Sequence, residues 1–245
     1  MVIVKIQGGL GNQLFQFAYA YSLSKIYDVC LDTSFYSTSS HDRQFQLDHI
    51  TNVSLPIVNI HNKHPNKIID DHHFRDRVFS HDVDYFLEGY WQSEKYFLNT
   101  KQDIIDSFIW PVIQDYNFND SCAVHVRRGD YLKAQHVHHV QTIDYYNQCL
   151  DIIQPKGNVY VFSDDVEWCE NNLCGSKITI INSNDNIYDL RMMSLCTNNI
   201  IANSSFSWWG AWLNQTEDKK ILYPKNWFND NTNTSGLLPS TWTCV

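Results

Sequence analysis

The chain is poor in basic charge. Its 18 Lys and Arg face 27 Asp and Glu, for a formal net charge of −9, which disfavours a nucleic-acid partner. The seven cysteines are odd in number and never spaced C-x-x-C, so neither a disulfide framework nor a zinc site is expected. No apolar run approaches the roughly 20 residues that span a bilayer. The opening Met1-Val2-Ile3-Val4-Lys5-Ile6-Gln7 turns polar too soon for a signal peptide. These absences predict a cytoplasmic protein without a transmembrane segment; peripheral association with a membrane is compatible with them. Walker loop, G-x-S-x-G elbow and H-E-x-x-H are all missing, as is a D-x-D element flanked by apolar residues that would hold a Mg²⁺-bound sugar diphosphate. His136-x-His138-His139 has no acidic or cysteine partner at a suitable spacing, so no metal is expected there.

What is present is a rhythm. At 245 residues the chain is long enough for one large domain or two small ones. Residues 2–6 read as a buried strand, broken by Gly8-Gly9-Leu10-Gly11-Asn12. Asn12 is a candidate cap for a helix reaching about residue 27, with Leu14, Phe17, Ala18 and Tyr21 at helical spacing. A second strand is expected at 29–32. Residues 36–84 are polar, His-rich and weakly periodic, with only a short strand near 55–60 and room for an acceptor-facing region. A helical stretch is expected over 94–108. Tyr90 and Trp91, just before it, fit either a cleft lining or, as such aromatics more often do, the core.

From Cys122 the alternation becomes regular. Strands are expected at 122–126, 158–162, 177–181, 199–202 and, last, 220–223; helices at 142–153, 165–172, 187–196 and 204–213. Alternating β and α elements imply a parallel sheet with helices on both faces and right-handed crossovers. Ligands of such sheets sit beyond the carboxyl ends of the strands. Those ends carry His125-Val126-Arg127-Arg128-Gly129-Asp130, then Ser163-Asp164-Asp165, then Asn203-Ser204-Ser205. The topology predicts that Arg127, Asp164 and Ser204 converge. Paired guanidinium groups offer planar forks that match phosphate or carboxylate. The pair fits an anion site, or simply a salt-bridge cluster. Asn203 or Ser204 can cap the last helix, whose free amides also favour an anion. Asp164 and Asp165 can bond a nucleoside or cap their own helix.

Six stretches, taken together and in order, carry a resemblance. They are Gly8-Gly9-Leu10-Gly11-Asn12-Gln13-Leu14-Phe15-Gln16, Gly89-Tyr90-Trp91-Gln92-Ser93-Glu94-Lys95-Tyr96-Phe97, His125-Val126-Arg127-Arg128-Gly129-Asp130-Tyr131, Phe162-Ser163-Asp164-Asp165, Asn203-Ser204-Ser205-Phe206-Ser207-Trp208-Trp209-Gly210-Ala211 and Tyr223-Pro224-Lys225-Asn226-Trp227. The chain resembles the glycosyltransferase family 11 α-1,2-fucosyltransferases over its whole length. It is somewhat short for that family, with the shortfall in 36–84, which bears on acceptor recognition more than on donor binding.

The resemblance implies an α/β, GT-B-like fold: two Rossmann-like halves facing a cleft, residues 1–115 on the acceptor side and 116–245 binding GDP-fucose, the latter the more regular parallel sheet. It implies inverting transfer of L-fucose from GDP-β-L-fucose to the 2-hydroxyl of a β-galactoside in a galactose-terminated glycan, with no metal or other cofactor. Arg127 would hold the β-phosphate of the leaving GDP. His125, Asp164 and Asp165 would contact the nucleoside, Ser204 and Ser205 the diphosphate, and Asn12 would reach across from the first half. Asp130 and His136 are the candidate general bases. Three alternatives stay open: the same fold moving another sugar, the same fold fucosylating a protein, and a non-catalytic nucleotide- or glycan-binding module. A nicotinamide oxidoreductase is disfavoured, because the first loop lacks G-x-G-x-x-G.

Overall fold

The computed structural model describes residues 1–37, 43–59, 66–70, 72–230 and 232–245. The chain forms two compact units. The first comprises Met1–Ile109 and Asn233–Pro239, the second Trp110–Thr232 and Ser240–Val245. The division thus falls a few residues before the expected 115, and a late segment returns to the first unit.

The first unit holds β1 (Val2–Lys5), α1 (Leu10–Ser24), β2 (Val29–Asp32), α2 (Leu47–Ile50), β3 (Ile57–Val58), β4 (Lys67–Ile69), β5 (Tyr85–Glu88) and α3 (Lys101–Ser107). Its parallel sheet has the order β3-β2-β1-β5-β4. Residue 60, at the end of the expected 55–60 strand, lies outside the described residues.

Three expectations change here. Gly9, in extended conformation, starts α1, and its carbonyl takes the amides of both Asn12 and Gln13. Asn12 is therefore inside the first turn and not the cap, and the helix ends at Ser24. Residues 94–108 form two short 3-10 turns followed by α3, because Phe97 leaves helical backbone angles (φ −140°, ψ 15°). Its ring is fully buried, 6.1 Å from that of Phe15. Trp91, by contrast, is core as such aromatics more often are, with no exposed surface.

Two glutamines of α1 hold the glycine loop. Gln16 accepts from Gln7 N at 2.9 Å and donates to Gly89 O at 2.9 Å. Gln13 donates to Gly8 O at 3.2 Å and to Gln44 O at 2.8 Å, and accepts from Gln46 N at 2.9 Å. Gly8 sits at φ +83°, where an added Cβ would also meet Asn12 Nδ2 at 2.8 Å.

The second unit follows the expected rhythm: β6 (Cys122–Val126), α4 (Ile143–Ile153), β7 (Val159–Ser163), α5 (Val166–Asn172), β8 (Ile178–Ile181), α6 (Asn186–Leu195), β9 (Asn198–Ile200), α7 (Ser205–Trp212) and β10 (Ile221–Tyr223). A short β11 (Thr243–Cys244) pairs beyond β10, so 220–223 is not the last strand. The order is β11-β10-β9-β6-β7-β8, and every pair is parallel.

All five residues of β6 are buried, as expected of a central strand covered on both faces. The two-residue period sends Cys122, Val124 and Val126 into one core with Tyr146 and Cys149 of α4. Ala123 joins Met192 and Met193 of α6 on the other face. His125 belongs by alternation to that second face and meets Phe206 of α7, ring centroids 5.6 Å apart.

Candidate active site

The carboxyl edge of the second sheet gathers the charged corners. β6 runs into Arg127 and Arg128, and its neighbour β7 runs into Asp164 and Asp165. Arg127 is three-quarters buried, its side chain 24% exposed. Its Nη2 donates to Asp130 Oδ1 at 2.7 Å, and its Nη1 pairs with Asp164 Oδ2 at 3.0 Å. The two carboxylates fix the plane of the guanidinium.

Arg128 turns elsewhere. Its backbone N–H donates to Asp164 Oδ1 at 2.9 Å and its Nε to Asp165 Oδ2 at 2.9 Å, while its Cζ lies 4.4 Å from the centroid of the Trp168 ring. Asp165 also caps α5 by accepting from Trp168 N at 3.2 Å. Of the two readings of Asp165, the cap is the one the structure shows, and its other carboxylate oxygen holds Arg128. Gly129 allows the crossing: a Cβ there would lie 2.6 Å from Asp164 Oδ2.

His125 is 5% exposed, and its Nδ1 has no hydrogen-bond partner among the described residues. Burial first, and then the Arg127 charge, push its pKa down to about 3. At neutral pH it is an uncharged imidazole beside a cation.

On the other side of β6, β9 leads into α7. Ser204 is its N-cap, accepting from Phe206 N at 3.3 Å, and Ser205 is its half-buried first residue. The first turn of α7 carries no acidic residue, so the N-terminal amides face no carboxylate of their own and favour an anion. The Tyr131 hydroxyl donates to Asn203 O at 2.9 Å, tying the arginine loop to this corner. Arg127, Asp164 and the Ser204 turn thus share one edge of one sheet.

Asn12 lies in the first unit, where its Oδ1 accepts from Gln92 Nε2 at 2.8 Å. His136 is exposed. His138 stacks on Tyr131 at 4.1 Å, with the rings 8° from parallel, and His139 Nδ1 lies 3.0 Å from Asn229 Oδ1. Among the described residues, no three His, Cys, Asp or Glu are grouped to hold a metal ion. No described helix is long and apolar enough to cross a membrane. Sequence reading missed Trp168, Gln141 and the structural part of Tyr131, since nothing local marks a ring that will lie under Arg128 or an amide that will reach a distant loop.

Residues 54–243 match the sequence profile of glycosyl transferase family 11. The chain belongs to that family. It is 31% identical to an alpha-1,2-colitosyltransferase of Escherichia coli, over 99% of this chain and 98% of the relative. It is 30% identical to the O-antigen biosynthesis glycosyltransferase WbnK of Escherichia coli, over 97% of this chain and 98% of that one. Among solved structures, the α-1,6-fucosyltransferase NodZ of Bradyrhizobium, soaked with GDP-fucose, superposes with a TM-score of 0.52 at 11% identity, covering 86% of this chain and 91% of NodZ. NodZ has also been co-crystallized with GDP. At that identity the likeness is one of fold. This family 11 glycosyltransferase has the expected α/β, GT-B-like class, built on two parallel sheets.

Proposed function

We propose that this glycosyltransferase moves L-fucose from GDP-β-L-fucose to the 2-hydroxyl of a β-galactoside in a glycan, with inversion and without a metal ion or other cofactor. The observation that carries the reading is Arg127, held by Asp130 and Asp164 at a strand end one strand away from the N-terminal turn of α7. Family membership, a relative named for an α-1,2 linkage and a fold shared with a fucosyltransferase solved with GDP support it.

As the glycosidic bond breaks, negative charge grows on the departing diphosphate. A guanidinium already oriented by two carboxylates stabilises that charge more than it stabilises the ground state. Ser204 and Ser205, with the amides of α7, take the rest of the diphosphate. His125, neutral and buried, contacts the nucleoside together with Asp164 and Asp165. Inversion in one displacement requires the acceptor hydroxyl to lose its proton on the face opposite GDP. Asp130 is our candidate base, with exposed His136 the second choice. A cytoplasmic location, where nucleotide sugars serve as donors, completes the reading.

Colitose as the transferred sugar is the second reading, favoured by the name of the relative at 31% identity. Incubation with GDP-fucose or a colitose donor, each against a panel of β-galactosides and one protein acceptor, followed by linkage analysis, tests all of these. A new α-1,2 fucosyl linkage is expected. GDP binding without turnover on any acceptor would instead indicate a binding module. Arg127→Ala is expected to lower kcat/KM by about a thousandfold or more. Turnover at the wild-type rate in that variant refutes the role given to Arg127.

A further inference from the structure

β9 passes into α7 through Asn203, which is 1% exposed. Its side-chain amide is fully engaged. Nδ2 donates to His139 O at 3.0 Å and to Trp227 O at 2.7 Å, and Oδ1 accepts from Gln141 Nε2 at 3.1 Å. Gln141, itself buried, also donates to Asn226 O at 3.0 Å. The carbonyl of Asn203 accepts the Tyr131 hydroxyl at 2.9 Å. Three segments distant in sequence therefore meet at one residue: the loop that begins with Arg127, the loop after β10, and the first turn of α7. The Tyr131 ring carries the connection onward, its centroid 5.4 Å from Arg127 Cζ.

We infer that Asn203, braced by Gln141, is a positioning residue for the donor's diphosphate. It fixes the spacing between the Arg127 guanidinium and the Ser204–Ser205 turn, and it touches no reacting atom. The inference rests on the reading of this corner as the donor site. A diphosphate bridged between groups on two separate segments needs those segments in fixed register, and an error of about 1 Å can cost a factor of about 100. A ligand with a single phosphate cannot span the two groups and is indifferent to their spacing.

Two variants of the full chain test this, by calorimetric titration with GDP and with GMP, by kcat and KM, and by thermal unfolding. Asn203→Asp keeps the size of the side chain but replaces both donations with oxygen facing oxygen. Tyr131→Phe deletes only the hydroxyl and leaves the ring beside Arg127. GDP affinity is expected to fall about a hundredfold in the first and about tenfold in the second, with GMP affinity kept within about twofold. In Tyr131→Phe the loss is expected in kcat, with the acceptor KM and unfolding temperature unchanged. If Asn203→Asp does not fold, Tyr131→Phe decides alone. Equal losses for GDP and GMP, or wild-type GDP affinity and kcat in a stable Tyr131→Phe protein, overturn the inference. A wild-type chain that binds neither nucleotide overturns the donor-site reading, and the role of Asn203 with it.

Discussion

At the scale of single residues, His125 shows how a strand's alternation creates chemistry. The period of β6 that buries Val124 and Val126 also buries the imidazole between them, beside Phe206 and within the field of Arg127. An exposed histidine takes up a proton near pH 6.5, whereas this one does so only near 3. Between those values the unfolded chain binds more protons than the folded one. Stability is therefore fully present above pH 6.5 and declines as the pH falls toward 3, by up to about 1.4 kcal/mol per pH unit from this group. His125→Gln removes the titration and keeps a polar side chain. The difference in unfolding free energy between wild type and variant, measured in urea from pH 7 to pH 4, is expected to shift steadily against the wild type as acid is added. A difference that stays constant across that range would show that the imidazole is not held neutral. Arg127 teaches the complementary lesson: the structure shows the salt-bridge cluster, and the anion site we propose builds on it, since the carboxylates of Asp130 and Asp164 are what hold the guanidinium in place.

At the scale of elements, α7 is apolar all round, with Trp208, Trp209, Ala211 and Trp212 buried. Such a helix must be tightly enclosed, and Gly210 is where α6 approaches. A Cβ at 210 would lie 2.9 Å from Met193 Cβ and 2.8 Å from its Cε. The thioether end can swing away, but Cβ is anchored to the helix. Gly210→Ala is expected to cost about 1–3 kcal/mol by overpacking, read as a lower urea midpoint, and part of that cost should be recovered when the same change is measured in a Met193→Gly background, which lacks that Cβ. No recovery would mean that the two helices do not touch there in solution. The Ser204 cap and the span of α7 were legible, because a cap and an apolar run are local signals. The reason for Gly210 was not, because Met193 belongs to another helix. The same contrast runs through the fold. β6 announces itself as a continuous apolar run ending at a polar corner. β5, next to the edge strand β4 in the first sheet, is four residues long and ends at Glu88, which pairs with Lys5 and Lys67. β4 is an edge strand with no buried residue to give it a period. Asn12 looked like a cap because its side-chain partner, Gln92, is 80 residues away. The corners of the candidate site were readable from strand order alone, whereas the amide of Asn203 that joins them has partners on loops that only the folded chain brings together.

At the scale of the whole molecule, the tail serves both units. Residues 233–239 belong to the first and 240–245 to the second. In the first, Leu237 is buried and Asn233 Nδ2 donates to His72 O at 3.2 Å. In the second, Trp242 packs 5.4 Å from Trp208 of α7, and Val245 closes the β10 edge through bonds of 3.0 Å to Tyr223 O and from Lys225 N. A chain ending at Thr232 should therefore weaken both units at once. Single changes separate the two effects. Leu237→Ala removes buried apolar volume from the first unit and is expected to cost about 2–5 kcal/mol, while Trp242→Ala does the same in the second at about 3–5 kcal/mol. Amide hydrogen exchange then assigns the damage: Leu237→Ala should speed exchange around 93–97, close to Gly236 and Ser93, and Trp242→Ala should speed it in α7. Because α7 carries the Ser204 turn, the second change is also expected to weaken GDP binding, whereas the first should leave it intact. GDP affinity that falls equally in both variants would mean that the tail stabilises the chain as one cooperative block, and that its division between two units has no energetic counterpart.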